Sequence, residues 1–137
     1  MNDLVSKWSG NAPYFQSILR IVAGLLFTLS GTMLMFGFPG WGPGMTAAPP
    51  LMSQMGIGGV LLVGGGTLMV LGLFTRPVAF IISGMMAVAY FQFHKPNGLW
   101  PQLNGGVDSV IYCFLWLYFS AAGAGPISLD ATLAKRK

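Results

Sequence analysis

Polar positions along this chain fall in clusters separated by long apolar runs. No charged residue stands between Arg20 and Arg76, between Arg76 and Lys95, or between Asp108 and Asp130. Apolar runs of about 18 or more residues are long enough to cross a hydrocarbon core of ~30 Å as helices. The pattern predicts four such helices, at about residues 15–37, 54–74, 77–94 and 105–122. Between the first two, Phe38 to Ser53 is too rich in Gly and Pro to continue a helix. Pro77 suits the first turn of the third helix. The polar loop Lys95 to Asn104 precedes the fourth, and Gly123 to Pro126 ends it.

Glycine adds a second periodicity. Gly58, Gly65 and Gly72 recur every seven residues, as do Gly59 and Gly66, and Gly24 and Gly31 in the first span. A period near 3.5 lines small residues along one helix face, where they let helices approach closely inside lipid. A phosphate-cradling glycine loop would need a strand before it and a solvated helix start after it, and the pattern offers neither.

Composition sharpens the reading. Charged residues make up 7% of the 137 and hydrophobic ones 54%, whereas a soluble domain carries roughly a quarter charged. The fold class expected is all-α: an integral-membrane, antiparallel four-helix bundle forming one domain over residues 1–137. The net charge of +4 comes largely from the tail Lys135-Arg136-Lys137. Basic residues at helix ends exclude a nucleic-acid binder, which would carry a basic stripe among polar residues. With both termini cytoplasmic, Lys7, Arg76 and the tail lie inside and Lys95 alone outside, as the positive-inside rule requires. Thr46-Ala47-Ala48 resembles a cleavage site. The first apolar run is nonetheless too long for a signal peptide and holds Arg20 within it, so the segment is read as uncleaved.

Ionisable groups in spans are costly and ask for a reason. Arg20, about a turn and a half into the first span, either snorkels to the interface or faces the bundle, with Asp130 as the nearest acid. Arg76 sits at a tight turn as a helix-end anchor. At the opposite end, His94 closes the third span and Asp108 opens the fourth, with Trp100 and Asn104 between them. Asp108 either complements its helix dipole or joins His94 in a proton relay, a carboxylate orienting the ring. Cys113, the one cysteine, forms no intrachain pair and reads as a small apolar residue. One His without HxxH or CxxC spacing leaves too few ligands for a metal centre.

The chain resembles the DoxX family of small bacterial four-helix membrane proteins from about Leu19 to Leu133. The resemblance rests on Leu19-Arg20-Ile21-Val22-Ala23-Gly24-Leu25-Leu26-Phe27, on Leu71-Gly72-Leu73-Phe74-Thr75-Arg76-Pro77, and on Ala89-Tyr90-Phe91. It extends through His94-Lys95-Pro96, Trp100-Pro101, Asn104-Gly105-Gly106, Gly125-Pro126 and Ser128-Leu129-Asp130. Where the family often has Glu after Asn-Gly-Gly, this chain has Val107 and then Asp108, which moves the acid about 100° around the helix. Attached thiol-rich or soluble domains found in some members are absent from this sequence.

The resemblance implies a multi-pass subunit of the bacterial inner membrane, acting with partner proteins in quinone-linked or thiol/sulfur-linked redox chemistry. The expected site combines His94 and Asp108 as relay with Arg20, Arg76, Trp100, Asn104 and Asp130 in binding. No cofactor is expected within the chain itself apart from a bound quinone. The lipid bilayer, a membrane-associated protein and a second copy of the chain are the expected partners, and nucleic acid is not. A non-catalytic scaffold subunit, or a small-molecule carrier formed by an oligomer, fits the same residues, and enzyme and non-enzyme readings both stand.

Overall fold

The computed structural model describes residues 1–136, and Lys137 of the basic tail lies outside them. Helices account for all regular structure among the described residues: α1 (Asn2–Ser9), α2 (Ala12–Phe36), α3 (Gln54–Leu71), α4 (Thr75–Ala89), α5 (Pro101–Asn104), α6 (Val107–Ala122) and α7 (Leu129–Ala134). A π-turn, Tyr90–His94, and a 3-10 turn, Lys95–Asn97, carry α4 onward without a break.

Three of these segments are long and apolar enough to cross a membrane: Ala12–Phe36, Gln54–Leu71 and Thr75–Asn97. They correspond to the first three predicted spans. The fourth, α6, is apolar but only 16 residues long, a rise of about 24 Å. Three short helices were not expected, the C-terminal α7 (Leu129–Ala134) among them. The polar N-terminus forms α1, fully exposed, with Trp8 5.5 Å from Phe15, and the loop before α6 winds into α5.

Local chemistry sets the helix ends. Ser53 caps α3 by accepting from Gly56 N at 3.1 Å, and Gly37 and Gly72 end α2 and α3 in the left-handed region at φ 64° and 66°, where glycine carries no steric cost. Phe74, between α3 and α4, also takes a left-handed φ of 51°, which is unfavourable for a bulky residue.

One core joins four helices. Phe27 of α2, Met69 of α3, Ile82 and Met86 of α4, and Trp116 and Phe119 of α6 are buried together, with the Phe27 and Trp116 rings edge-to-face at 5.4 Å. Around it the outer faces are apolar as well: Leu25, Leu26, Val60, Phe80, Ile111 and Phe114 are all exposed. Such a surface suits lipid and would be an aggregation liability in water.

Glycines bring α2 and α3 nearly backbone to backbone. A Cβ on Gly24 would stand 2.9 Å from Val70 N, and one on Gly31 2.7 Å from Val63 N. Gly66 faces Thr28 and Gly24 across the same crossing. The heptad stripe divides on α3's other side. A Cβ on Gly65 would meet Ile82 Cγ2 of α4 at 2.6 Å, whereas one on Gly58 would have nothing within 4 Å. Gly58 therefore makes no close packing contact with a neighbouring helix of the kind its period suggests. Two turns, roughly 10 Å, separate the two glycines, and over that distance α3 and α4 splay apart.

Candidate functional site

Polar groups gather at the two ends of the helices, and the ends are built differently. At the first, Arg20 is fully buried in α2, which overturns the snorkelling expectation. Its Nε donates to Ala124 O at 2.9 Å, Nη1 to the carbonyls of Met69 and Val70, and Nη2 to Ile127 O at 2.5 Å. Met69 and Val70 belong to the last turn of α3, where carbonyls run short of intrahelical partners and the helix dipole is negative; Met69 O also accepts from Gly72 N at 3.2 Å. Burying a cation is expensive unless its donors are satisfied; here backbone oxygens, not a carboxylate, satisfy them. Arg20 and Asp130 form no ion pair, the only one among the described residues being Lys7–Asp3 at 3.0 Å on the exposed α1.

Asp130 turns the other way. Its Oδ1 and Oδ2 accept from the backbone N–H groups of Phe74 and Thr75, both at 2.9 Å, which caps the start of α4 and holds the strained Phe74 in place. Partial burial pushes the Asp130 carboxyl up. The hydrogen bonds from Thr75 and Phe74, with the nearby Arg20 charge, outweigh that and leave it below the ordinary aspartate value. Arg76 donates to the Ala121 carbonyl at the end of α6, matching its expected role as a helix-end anchor. Gln16 and Ser17, not singled out from sequence, complete the knot. Gln16 Nε2 donates to Gly123 O at 2.8 Å, and Ser17 Oγ accepts from Ile127 N at 3.2 Å.

At the other end, Asn104 is the hub. It is buried; its Nδ2 donates to Gly98 O at 2.7 Å and its Oδ1 accepts from Gly106 N at 2.8 Å. The π-turn carries Tyr90 and His94 towards it. Tyr90 Oη donates to Leu99 O at 2.7 Å, and His94 Nδ1 lies 3.3 Å from Asn104 O. π-turns inside α-helices recur at functional sites because the extra residue re-aims the side chains beyond it.

The expected relay partner is placed elsewhere. Asp108 is exposed in the first turn of α6, and the ring's partner is the Asn104 carbonyl instead of its carboxylate. The turn at Gly105, φ 73°, folds the backbone itself against His94 and leaves Asp108 outside. Trp100 is exposed at 65% and stands ahead of α5 with no part in the groove described next.

Where α3 and α4 splay apart they leave a half-open groove of about 630 Å³. Met55, Gly58, Leu61, Met85 and Phe93 line its length, and Gln54, His94 and Ser109 supply the polar groups at one end. The Gln54 and Gln92 side chains join across that end, the former donating to the latter. Methionine walls are adaptable and polarizable. Neither Gly58 nor Ser109 was singled out for a site from sequence. Gly58 was legible only as packing, and Ser109 lies in an apolar helix with nothing to mark it.

The sequence model of the DoxX family matches residues 15–95. This chain belongs to the DoxX family. The DoxX match takes in Arg20, Arg76, the π-turn and His94, and stops before Asn104, Asp108 and Asp130. With its apolar helices, this DoxX chain is a membrane protein. An uncharacterized protein of Haemophilus influenzae is 42% identical over 130 residues, which covers 90% of this chain and 94% of that protein. No solved structure matches the chain.

Proposed function

We propose that this DoxX chain is a multi-pass protein of a bacterial inner membrane that holds a lipophilic redox molecule of the quinone type and serves partner proteins in quinone-linked or thiol/sulfur-linked chemistry. The observation that carries the reading is the groove. Its volume of about 630 Å³ falls within the range of small-molecule sites, roughly 300–1,000 Å³. Its walls are apolar along their length and polar at one end, which suits a molecule with a hydrocarbon tail and a small polar head. The opening lies between helices whose outer faces are themselves apolar, so such a molecule enters from lipid without crossing water.

In this reading α2, α3, α4 with its π-turn, and α6 all cross the bilayer, with both termini cytoplasmic. The distribution of Lys7, Arg76, Lys135 and Arg136 against Lys95 supports that orientation. Electron donor and acceptor are assigned to partner proteins, because a single Cys113 cannot cycle through an intrachain disulfide. A scaffold subunit is the reading the Arg20 end favours, since every charged side chain there is engaged with backbone.

The test is compositional. The protein purified in mild detergent is extracted with organic solvent, and quinone is measured against phospholipid for the native chain and for Gly58→Leu. Enrichment in the native chain that disappears in Gly58→Leu supports the groove. Quinone at the bulk-lipid ratio in both, together with a stoichiometric protein partner, would favour the scaffold. Cysteines placed at Asn2 and labelled in intact cells check the orientation: protection is expected, and labelling from outside overturns it.

A further inference from the structure

The groove reading leaves the chemistry of the ligand's head open, and the hydrogen bonding of His94 narrows it. A backbone carbonyl only accepts, so the contact between His94 Nδ1 and Asn104 O at 3.3 Å puts the proton of the neutral ring on Nδ1. Nε2 then carries a lone pair, and no group of the described residues donates to it. The tautomer is held firmly, because the Asn104 side chain is itself tied to Gly98 O and Gly106 N. Ser109, which lines the same groove, is 4% exposed, and its hydroxyl has no partner among the described residues. A polar head arriving at this end would supply one.

We infer that the groove takes a lipid whose head carries a hydrogen-bond-donating hydroxyl, given to His94 Nε2, with Ser109 Oγ beside it and the hydrocarbon chain along Met55, Gly58, Leu61 and Met85. The inference rests on the groove reading and deepens it. A head offering only ketone, ether or ester oxygens meets a lone pair at Nε2 and gains nothing from the ring. Two sources share the required chemistry: the reduced, dihydroxy form of a quinone, and an aliphatic isoprenoid alcohol.

The experiment is equilibrium dialysis of three labelled probes against the full-length protein in detergent. The buffer is anaerobic, so that the diol stays reduced. The probes are a decyl-substituted hydroquinone, its dimethyl ether, and farnesol. In the native chain the hydroquinone should bind roughly three- to tenfold more tightly than the ether, the range for one net hydrogen bond. His94→Phe should remove that ratio while leaving the ether's affinity in place, and Gly58→Leu should abolish binding of all three. Farnesol matching the hydroquinone assigns the site to aliphatic alcohols, and weaker farnesol binding assigns it to the aromatic diol; both support hydroxyl recognition. Equal binding of ether and hydroquinone by the native chain overturns the inference whether or not any variant folds. If Gly58→Leu then still blocks both, the groove reading survives alone. Absence of binding by every probe removes both.

Discussion

The Arg20 end and the His94 end hold similar numbers of polar side chains and use them in opposite ways. Around Arg20 the guanidinium is consumed by four carbonyls, Arg76 caps α6, Gln16 reaches Gly123 O and Asp130 caps α4. Around His94 the network is equally ordered, through Asn104 and Tyr90, but it stops short. Nε2 of the ring and Oγ of Ser109 are left without partners beside an open groove, whereas the atom left over at the Arg20 end, Thr75 Oγ1, is fully buried. In a medium without water, a buried charge spent on helix ends is architecture. A polar atom left over beside a lipid-accessible space is where binding can occur. Position and residue type alone do not separate these cases; the partners do.

If that contrast is sound, substitution at Arg20 has the largest effect on stability. Arg20→Met takes a donor from four carbonyls and leaves those of Val70, Ala124 and Ile127 without one. The expected loss is at least about 3 kcal/mol, read as a fall in melting temperature in detergent. Arg20→Lys keeps the charge, but its single nitrogen cannot span the carbonyls of Met69, Ala124 and Ile127 together, so it should fall between. Native-like melting of Arg20→Met would mean that the knot is decoration.

The two heptad-related glycines sharpen the contrast within α3. Gly65→Leu drives a side chain into Ile82, whose β-branched Cγ2 cannot swing away, and overpacking of this kind costs typically ~1–3 kcal/mol. Gly58→Leu opens onto free space and should leave melting within about 0.5 kcal/mol of native while closing the groove to ligand. Equal destabilisation by the two would show that α3 and α4 do not splay.

Much of this architecture is legible in the sequence. The gaps between Arg20, Arg76 and Lys95 locate the long apolar helices to within a few residues, because burying charge in hydrocarbon is costly whatever the tertiary context. The segregation of His94 and Asn104 from Arg20, Arg76 and Asp130 follows from helix length. What the sequence hides is partner choice. Arg20 and Asp130 look like an ion pair, yet each binds helix-terminal backbone, whose availability depends on where α3 ends and α4 begins. Gly58 and Gly65 share one heptad phase and differ only through the crossing of α3 and α4, which no periodicity records. The π-turn is likewise invisible, since Tyr90-Phe91-Gln92-Phe93-His94 reads as ordinary apolar helix.

A smaller effect belongs to Asp130. Its carboxyl is held below the ordinary value near 3.8, so its folded form binds a proton less readily than its unfolded form. The resulting stabilisation is present above the unfolded value and fades as pH falls through the folded one. Asp130→Asn should melt below the native protein by about 1 kcal/mol at neutral pH, the typical worth of a helix cap. Acidification should bring the two melting curves together. A difference that stays constant into the acid range would mean that the charge contributes nothing and the loss is one of shape.

The smallest effect on stability is expected at the His94 end, and its smallness is the informative part. His94→Phe gives up one hydrogen bond, to a carbonyl at 3.3 Å, and replaces one flat ring by another in a groove already lined by Phe93. Asp108→Asn removes only a favourable charge in the exposed first turn of α6, worth about 0.3–1 kcal/mol at most. Both variants should therefore melt within about 1 kcal/mol of the native chain. Their consequences for ligand should part, however. His94 lines the groove and Asp108 does not, so binding of a hydroxyl-bearing lipid should respond to the first substitution and be indifferent to the second. Loss of binding in Asp108→Asn at unchanged stability would bring the carboxylate back into the site through a rearrangement of the Gly105 turn. It would also restore the His94–Asp108 relay as a feature of the liganded protein.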